Sequence, residues 1–224
     1  MKAMILAAGK GTRMQPLTLH TPKPLLIAAG KSLIEHQIDR LKLAGITEII
    51  INVAYLGDKI IQALGDGSQL GVSIQYSEEP EPLETAGAIS HALPLLGEEP
   101  FLLVNGDVWC DFPLIELLNR PLDEDLGRLL FVANPAFKNH GDFSLEQGKV
   151  RQCKAGDEGY TYAGIALLSP TLVADYPERR KIFPLREVFN LAIAQNKLSA
   201  QLHHGDWRDI GTVDRLEELR RDLS

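Results

Sequence analysis

An α/β fold, with a Rossmann-like, mainly parallel twisted sheet and helices on both faces, is predicted by three features of the sequence. Short continuous apolar runs, Ala3-Met4-Ile5-Leu6, Ile49-Ile50-Ile51-Asn52-Val53 and Phe101-Leu102-Leu103-Val104, read as strands buried on both faces. Segments of helical periodicity separate these runs, so strand and helix alternate as in repeated βαβ units. Gly-bearing polar turns follow the first and last of them, at the carboxyl edge of the sheet where such folds bind ligands.

After the first strand, Ser32-Leu33-Ile34-Glu35 reads as a capping box, with Ser32 capping and Glu35 reaching back. Ile34, Ile38 and Leu41 form the apolar face of that helix, and Gly45 ends it. The strand Ile49 to Val53, a short helix Asp58 to Leu64, a strand Val72-Ser73-Ile74, a helix Thr85 to Leu93 and the strand Phe101 to Val104 complete the first half. The second half is less regular. Leu129 to Ala133 and Ile165 to Leu168 read as strands, and the polar, turn-rich Asn134 to Gly159 as a β-rich hairpin or flap over the site. Pro184 to Gln195 is a helix with Pro at its start, and a charged helix runs from Val213. His203 and His204 fall in an expected edge strand, as solvated residues. The whole span 1–224 is expected to be a single domain, long enough to bury a substantial core.

The net charge of -7, without a block of like charges, argues against a nucleic-acid groove. No apolar run approaches the ~20 residues of a membrane span, and the N-terminal run lacks the layout of a secretory leader. Cys110 and Cys153 fit a reducing cytoplasm better than a disulfide, and neither has metal-pair spacing.

The most informative segment is Ala7-Ala8-Gly9-Lys10-Gly11-Thr12-Arg13-Met14-Gln15-Pro16-Leu17-Thr18, followed by Lys23-Pro24. Glycines let a backbone approach a phosphate and turn N–H groups toward it. Arg13 adds a fork-shaped cation and Lys23 a point charge, a combination suited to a triphosphate. The spacing fits neither a Walker loop nor a dinucleotide fingerprint, because Met14 holds the third glycine position of the latter. Taken alone, Gly9 and Gly11 are equally an ordinary strand-to-loop turn. The whole string resembles the signature L-A-[AG]-G-x-G-T-R-[ML]-x-P-[LT]-T…K-P of the sugar-1-phosphate nucleotidyltransferases, and matches it at every position. That resemblance implies nucleotide binding by Leu6, Ala7, Gly9, Gly11, Thr12, Arg13 and Lys23, with Arg13 and Lys23 catalytic.

Three further segments extend the resemblance from Met4 to Thr212. Asn105-Gly106-Asp107 puts a carboxylate just after a buried strand, although such a tripeptide is also a common turn. Trp207-Arg208-Asp209-Ile210-Gly211-Thr212 resembles W-x-D-[IV]-G-T, which implies Mg²⁺ held by Asp107 and Asp209; Asp209 is alternatively a cap for the following helix. Glu78 to Ala88 resembles the base-binding E-x-P-L-G-T-A-G, implying Glu79, Pro82 and Thr85 around the nucleobase, with helix N-terminal amides and the Glu79 carboxylate as partners. Glu84 stands where relatives have Gly, so a backbone contact there requires a negative φ. On the sugar side the family's Glu-Lys-Pro is absent. Asn105, Asp142, Tyr162 and Gly164 are the candidates, and Lys154 is a loose phosphate candidate.

The expected reaction is Mg²⁺-dependent uridylyl transfer from UTP to a sugar 1-phosphate, specifically N-acetylmuramic acid α-1-phosphate. Mannose-1-phosphate guanylyl and glucose-1-phosphate thymidylyl transfer are the alternatives within the family. A catalytically dead nucleotide-sugar sensor is the alternative outside it, and the intact Arg13, Lys23, Asp107 and Asp209 argue against that. A monomer or weak homo-oligomer, free of nucleic acid and membrane, is expected.

Overall fold

The computed structural model describes residues 1–154 and 156–223. The chain opens with β1 (Lys2–Leu6) and the Gly-bearing loop. There follow a small ribbon of β2 (Ile27–Ala28) and β3 (Lys31–Ser32), then α1 (Leu33–Leu43), β4 (Glu48–Val53), α2 (Gly57–Leu64), β5 (Ser73–Glu78), α3 (Glu84–Leu96) and β6 (Phe101–Asn105). The second half holds β7 (Val108–Cys110), α4 (Ile115–Leu118), β8 (Gly127–Val132), β9 (Phe143–Glu146), β10 (Lys149–Gln152), β11 (Gly159–Leu168), α5 (Thr171–Ala174), α6 (Leu185–Ala194), β12 (Leu198–His203), β13 (Trp207–Asp209) and α7 (Val213–Asp222).

The nine-stranded sheet runs β5-β4-β1-β6-β11-β8-β12-β10-β9. β5, β4, β1 and β6 are parallel, as the alternating first half predicts. β11 is antiparallel to both β6 and β8, whereas β12 returns parallel to β8 through α5 and α6. The change has a topological reason. A parallel neighbour needs a long crossover, and β11 instead follows directly from the β9–β10 hairpin. Within the expected flap, Asn134 to Gly159, the hairpin is formed by β9 and β10, which extend the edge of the main sheet, while Phe137, Lys138 and Asp142 before it line a cavity.

Both faces of the sheet are covered. Ala3, Ile5, Ile49 and Ile51 point to the side of α1 and α2, where they meet Ile34, Ile38, Leu41 and Ile60. Met4 and Ile50, the alternate residues, point to the side of α3 and α6, against Ile89, Ala92, Val188 and Phe189. Burial on both sides is why these strands read as unbroken apolar runs. A third, smaller cluster fixes the Gly-bearing loop: Met14, fully buried, packs with Leu33, Ile210, Leu216 and Leu219, clamping the loop between α1 and α7.

Local signals largely set the boundaries. The capping box is complete, with the Ser32 N–H donating to Glu35 Oε2 at 2.8 Å and the Glu35 N–H to Ser32 Oγ at 3.4 Å. α7 is capped by Thr212, whose Oγ1 accepts from the Arg215 N–H, so Asp209 is not the cap and stays on β13. The expectation for His203 needs correction. β12 lies inside the sheet between β8 and β10, and the His203 Nε2 is 2.6 Å from Asp111 Oδ1 with its ring edge-on to Phe112. Cys110 and Cys153 are both free thiols. No helix among the described residues is long and apolar enough to cross a membrane.

Candidate active site

Two adjoining cavities open along the carboxyl ends of β1 and β6. The first is walled by Leu6, Ala7, Ala8 and Gly9 of the loop, Lys23, Asn52, Glu79, Pro82 to Thr85, and Asn105 to Asp107. The second shares Asn105 and Asp107 and adds Phe137, Lys138, Asp142, Thr161, Tyr162, Gly164, Trp207 and Asp209. The fold therefore gathers most of the expected residues into one continuous hollow. Gly11, Thr12 and Arg13 line neither cavity; they form the turn just outside. Gly11 sits there at φ +62°, a left-handed conformation that favours glycine. The position a Gly211 Cβ would take is 3.1 Å from Arg13 Nη2 and 3.0 Å from Asp209 Oδ2. Arg13 and the Asp209 carboxylate thus converge on the space that Gly211 leaves open.

The wall of the first cavity is built on a hydrogen-bond chain. Asn52 Oδ1 accepts the Ala7 N–H at 2.8 Å, and its Nδ2 donates to Glu79 Oε1 at 2.7 Å. Glu79 Oε2 accepts the Leu83 N–H at 3.1 Å. Glu79 is only 6% exposed, and this burial raises its pKa above the ordinary value while the two hydrogen bonds pull the other way. Both its oxygens are engaged in bracing the base loop against the Gly-bearing loop. Asn52 escaped the sequence reading, although an amide interrupting an isoleucine run was its signal.

Two expectations about the base loop change. The Ala86 and Gly87 amides both donate to the Phe183 carbonyl at 3.1 Å, so the first-turn donors left at the cavity wall are those of Glu84 and Thr85. Thr85 Oγ1 accepts the Leu185 N–H at 2.8 Å and ties α3 to α6. Glu84 has φ +58°, in the left-handed region, so the negative φ expected to be needed for a backbone contact there is not met.

At the junction of the cavities, Lys23 Nζ lies 2.6 Å from Asp107 Oδ2. The lysine side chain is 9% exposed and the aspartate 35%. Asp209 Oδ2 accepts from Arg215 Nη1 at 2.9 Å. The short β7–β13 ladder pairs Asp209 with Val108, the Ile210 N–H donates to the Asp107 carbonyl at 3.0 Å, and both aspartates line the second cavity. Two partly exposed carboxylates lining one polar cavity are the oxygen donors a hard divalent cation takes, with room for water and phosphate oxygens. Arg215, which the sequence reading missed, also stacks its guanidinium 3.5 Å above the Phe137 ring.

In the second cavity, Gly164 is required by space and conformation together: its φ is +74°, and a Cβ would stand 2.6 Å from Asn105 Nδ2. Asp142 Oδ2 accepts the Tyr162 N–H at 3.0 Å. The Tyr162 hydroxyl is buried without a hydrogen-bond partner among the described residues, and its pKa is raised by that burial. Its ring packs edge-on against Phe189. Tyr162 thus presents its backbone and ring rather than a free hydroxyl. Lys154 sits on an exposed turn, its N–H bonded to Asp157, and lines neither cavity.

The architecture matches known proteins. A Bacillus anthracis protein assigned as a glucose-1-phosphate thymidylyltransferase superposes with a TM-score of 0.87 at 22% identity, over 100% of this chain and 95% of that one. HddC from Yersinia pseudotuberculosis, solved with GMP-PN, gives 0.80 at 23% identity, over 100% and 99%. In sequence, the N-acetylmuramate alpha-1-phosphate uridylyltransferase of Neisseria meningitidis serogroup B is 49% identical over 98% of this chain and 97% of its own. The mannose-1-phosphate guanyltransferase beta-B of Xenopus laevis is 33% identical over 94% of this chain but only 61% of its own length. Residues 2–140 match the nucleotidyl transferase family. With the loop, the base segment and the paired carboxylates in one hollow, the chain belongs to the nucleotidyl transferase family, among its sugar-1-phosphate nucleotidyltransferases.

Proposed function

We propose that the protein transfers the uridylyl group of UTP to N-acetylmuramic acid α-1-phosphate, giving UDP-N-acetylmuramic acid and pyrophosphate. The 49% identity, over nearly the full length of both chains, to an N-acetylmuramate alpha-1-phosphate uridylyltransferase carries this reading. UTP lies in the first cavity, its base against the Pro82 to Thr85 wall and its phosphates along Ala8, Gly9 and Lys23. The sugar phosphate lies in the second cavity, between Asn105, Asp142 and Gly164.

A phosphate oxygen of the acceptor attacks the α-phosphorus in line. The new O–P bond forms as the bond to the β-phosphate oxygen breaks, and pyrophosphate leaves with that electron pair. The protein contributes position and charge rather than a covalent intermediate. Lys23 and Arg13 stabilise negative charge on the α-phosphate and the leaving group. Asp107 and Asp209 would hold Mg²⁺, which when bound neutralises phosphate charge and orients its oxygens. Asn105, for which Gly164 leaves room, positions the acceptor between the two cavities. The free thiols suit a cytoplasmic location.

Pyrophosphate release measured with UTP, GTP and dTTP, each with N-acetylmuramic acid 1-phosphate, tests the nucleotide assignment. UTP is expected to give the highest kcat/KM and a product with the mass of UDP-N-acetylmuramic acid. Faster turnover of GTP or dTTP refutes it.

A further inference from the structure

We propose that Arg186 and Lys138 form a carboxylate-binding subsite where the acceptor cavity meets an adjoining recess. Resting on the acceptor assigned above, this subsite reads the lactyl carboxylate that distinguishes N-acetylmuramic acid from neutral N-acetylhexosamines. The subsite is centred on Asp142. Lys138 Nζ is 2.5 Å from Asp142 Oδ2, and Arg186 Nη1 is 3.4 Å from Asp142 Oδ1. Arg186 Nη2 donates to the Asp142 carbonyl at 3.0 Å, and the Tyr162 N–H adds a further bond to Oδ2. Asp142 thereby positions the two cations.

Two cations against one carboxylate leave a surplus positive charge. Lys138 stands on the wall of the acceptor cavity. Arg186 stands on an adjoining recess that shares Asn105, Asp142 and Tyr162 with it. A neutral sugar has no use for that surplus, whereas a carboxylate on a short ether arm does. The guanidinium is held ready for it. Its carbon lies 4.8 Å from the Phe143 ring centroid, and its backbone contact fixes the plane, so little side-chain entropy remains to be lost on binding. Of its five N–H donors, Asp142 engages two among the described residues, and the side chain is 51% exposed, leaving an edge free for a bidentate carboxylate. Arg186 sits in the first turn of α6, outside every motif of the sequence.

The experiment compares kcat/KM for N-acetylmuramic acid 1-phosphate and N-acetylglucosamine 1-phosphate, which lacks the lactyl group, in wild type, Arg186→Gln, Arg186→Lys and Lys138→Gln. Arg186→Gln is expected to lower the value for the lactyl substrate about tenfold or more, the scale of a lost hydrogen bond to a charged group, while the value for N-acetylglucosamine 1-phosphate stays within about twofold. Lys138→Gln is expected to act in the same direction, and Arg186→Lys to recover part of the loss. Unchanged N-acetylglucosamine 1-phosphate turnover also reports an intact fold. An equal fall for both substrates, or no fall for either, in an enzyme that itself prefers the lactyl substrate overturns the subsite alone. A wild-type enzyme without that preference overturns the acceptor assignment and the subsite with it.

Discussion

Lys23 Nζ and Asp107 Oδ2 stand 2.6 Å apart, so the lysine expected on a triphosphate and the carboxylate expected on a cation hold each other. Asp209 is matched in the same way by Arg215 at 2.9 Å. Each partly buried charge in this polar centre therefore has an opposite partner before any substrate arrives, which avoids the cost of leaving it unpaired. On the function proposed above, binding would exchange these partners: Asp107 would hold the cation and Lys23 the phosphate oxygens, with no change in the local charge balance of the protein.

Replacing Lys23 with Met separates the two roles of that pair. The loss of a charge stabiliser is expected to lower kcat by roughly 10²-fold or more. The loss of the competitor for Asp107 is expected to lower the Mg²⁺ concentration at half-maximal rate. Steady-state rates across a metal titration measure both, and an unchanged kcat removes Lys23 from the reaction.

Chelation is expected to abolish turnover, and Mg²⁺ to restore it. Asp107→Asn and Asp209→Asn each remove a charged oxygen donor and are expected to raise the metal requirement about tenfold or more. Asp209→Asn also removes the charge partner of Arg215, which keeps its bond to the Asp209 carbonyl and its stacking on Phe137. A rate that survives EDTA contradicts the metal assignment.

Glu79 predicts a pH dependence of stability. Its pKa in the fold is raised by burial from the ordinary 4.5. Below 4.5 the group is protonated in both states; as pH rises from there through the raised folded pKa, the unfolded chain releases its proton first and stability falls. Glu79→Gln lacks this fall but loses an acceptor for either Asn52 or Leu83. Its cost, from denaturant unfolding, is therefore expected to be larger near about pH 4 than near about pH 7. A cost that grows with pH contradicts the assignment.

Glu84 holds φ +58°, a conformation costing a non-glycine residue about 1 kcal/mol or more. Glu84→Gly relieves that strain but adds unfolded-state entropy of similar size, so its stability is expected within about 1 kcal/mol of wild type. Glu84→Pro, whose ring fixes φ at about −65°, is expected to lose ~1–3 kcal/mol and to raise KM for UTP. Equal unfolding midpoints for the two variants contradict the backbone account.

The fold was legible where local signals agree with packing. The Ser32–Glu35 box, the double-sided runs around Met4 and Ile50, and Thr212 before α7 all declare themselves in sequence. The antiparallel placement of β11 depended on which strand the hairpin returned beside, a long-range choice with no local signal. The motifs of the loop, base segment and paired carboxylates converge because each lies at a strand end. The residues that connect them were harder to see. Asn52 showed itself only as a polar break in a strand, and Arg186, Lys138 and Arg215 sit in ordinary charged segments that acquire meaning through tertiary contact. The Phe183 carbonyl, which takes two amides from the start of α3, is invisible to any reading of the base loop alone.

The central claim is the acceptor, and kcat/KM with UTP for four sugar 1-phosphates tests it most directly. N-acetylmuramic acid 1-phosphate is expected to exceed N-acetylglucosamine, glucose and mannose 1-phosphates by at least about tenfold, about 1.4 kcal/mol of transition-state discrimination. A smaller preference, or a faster reaction with any of the other three, contradicts the account while leaving the chain a nucleotidyltransferase.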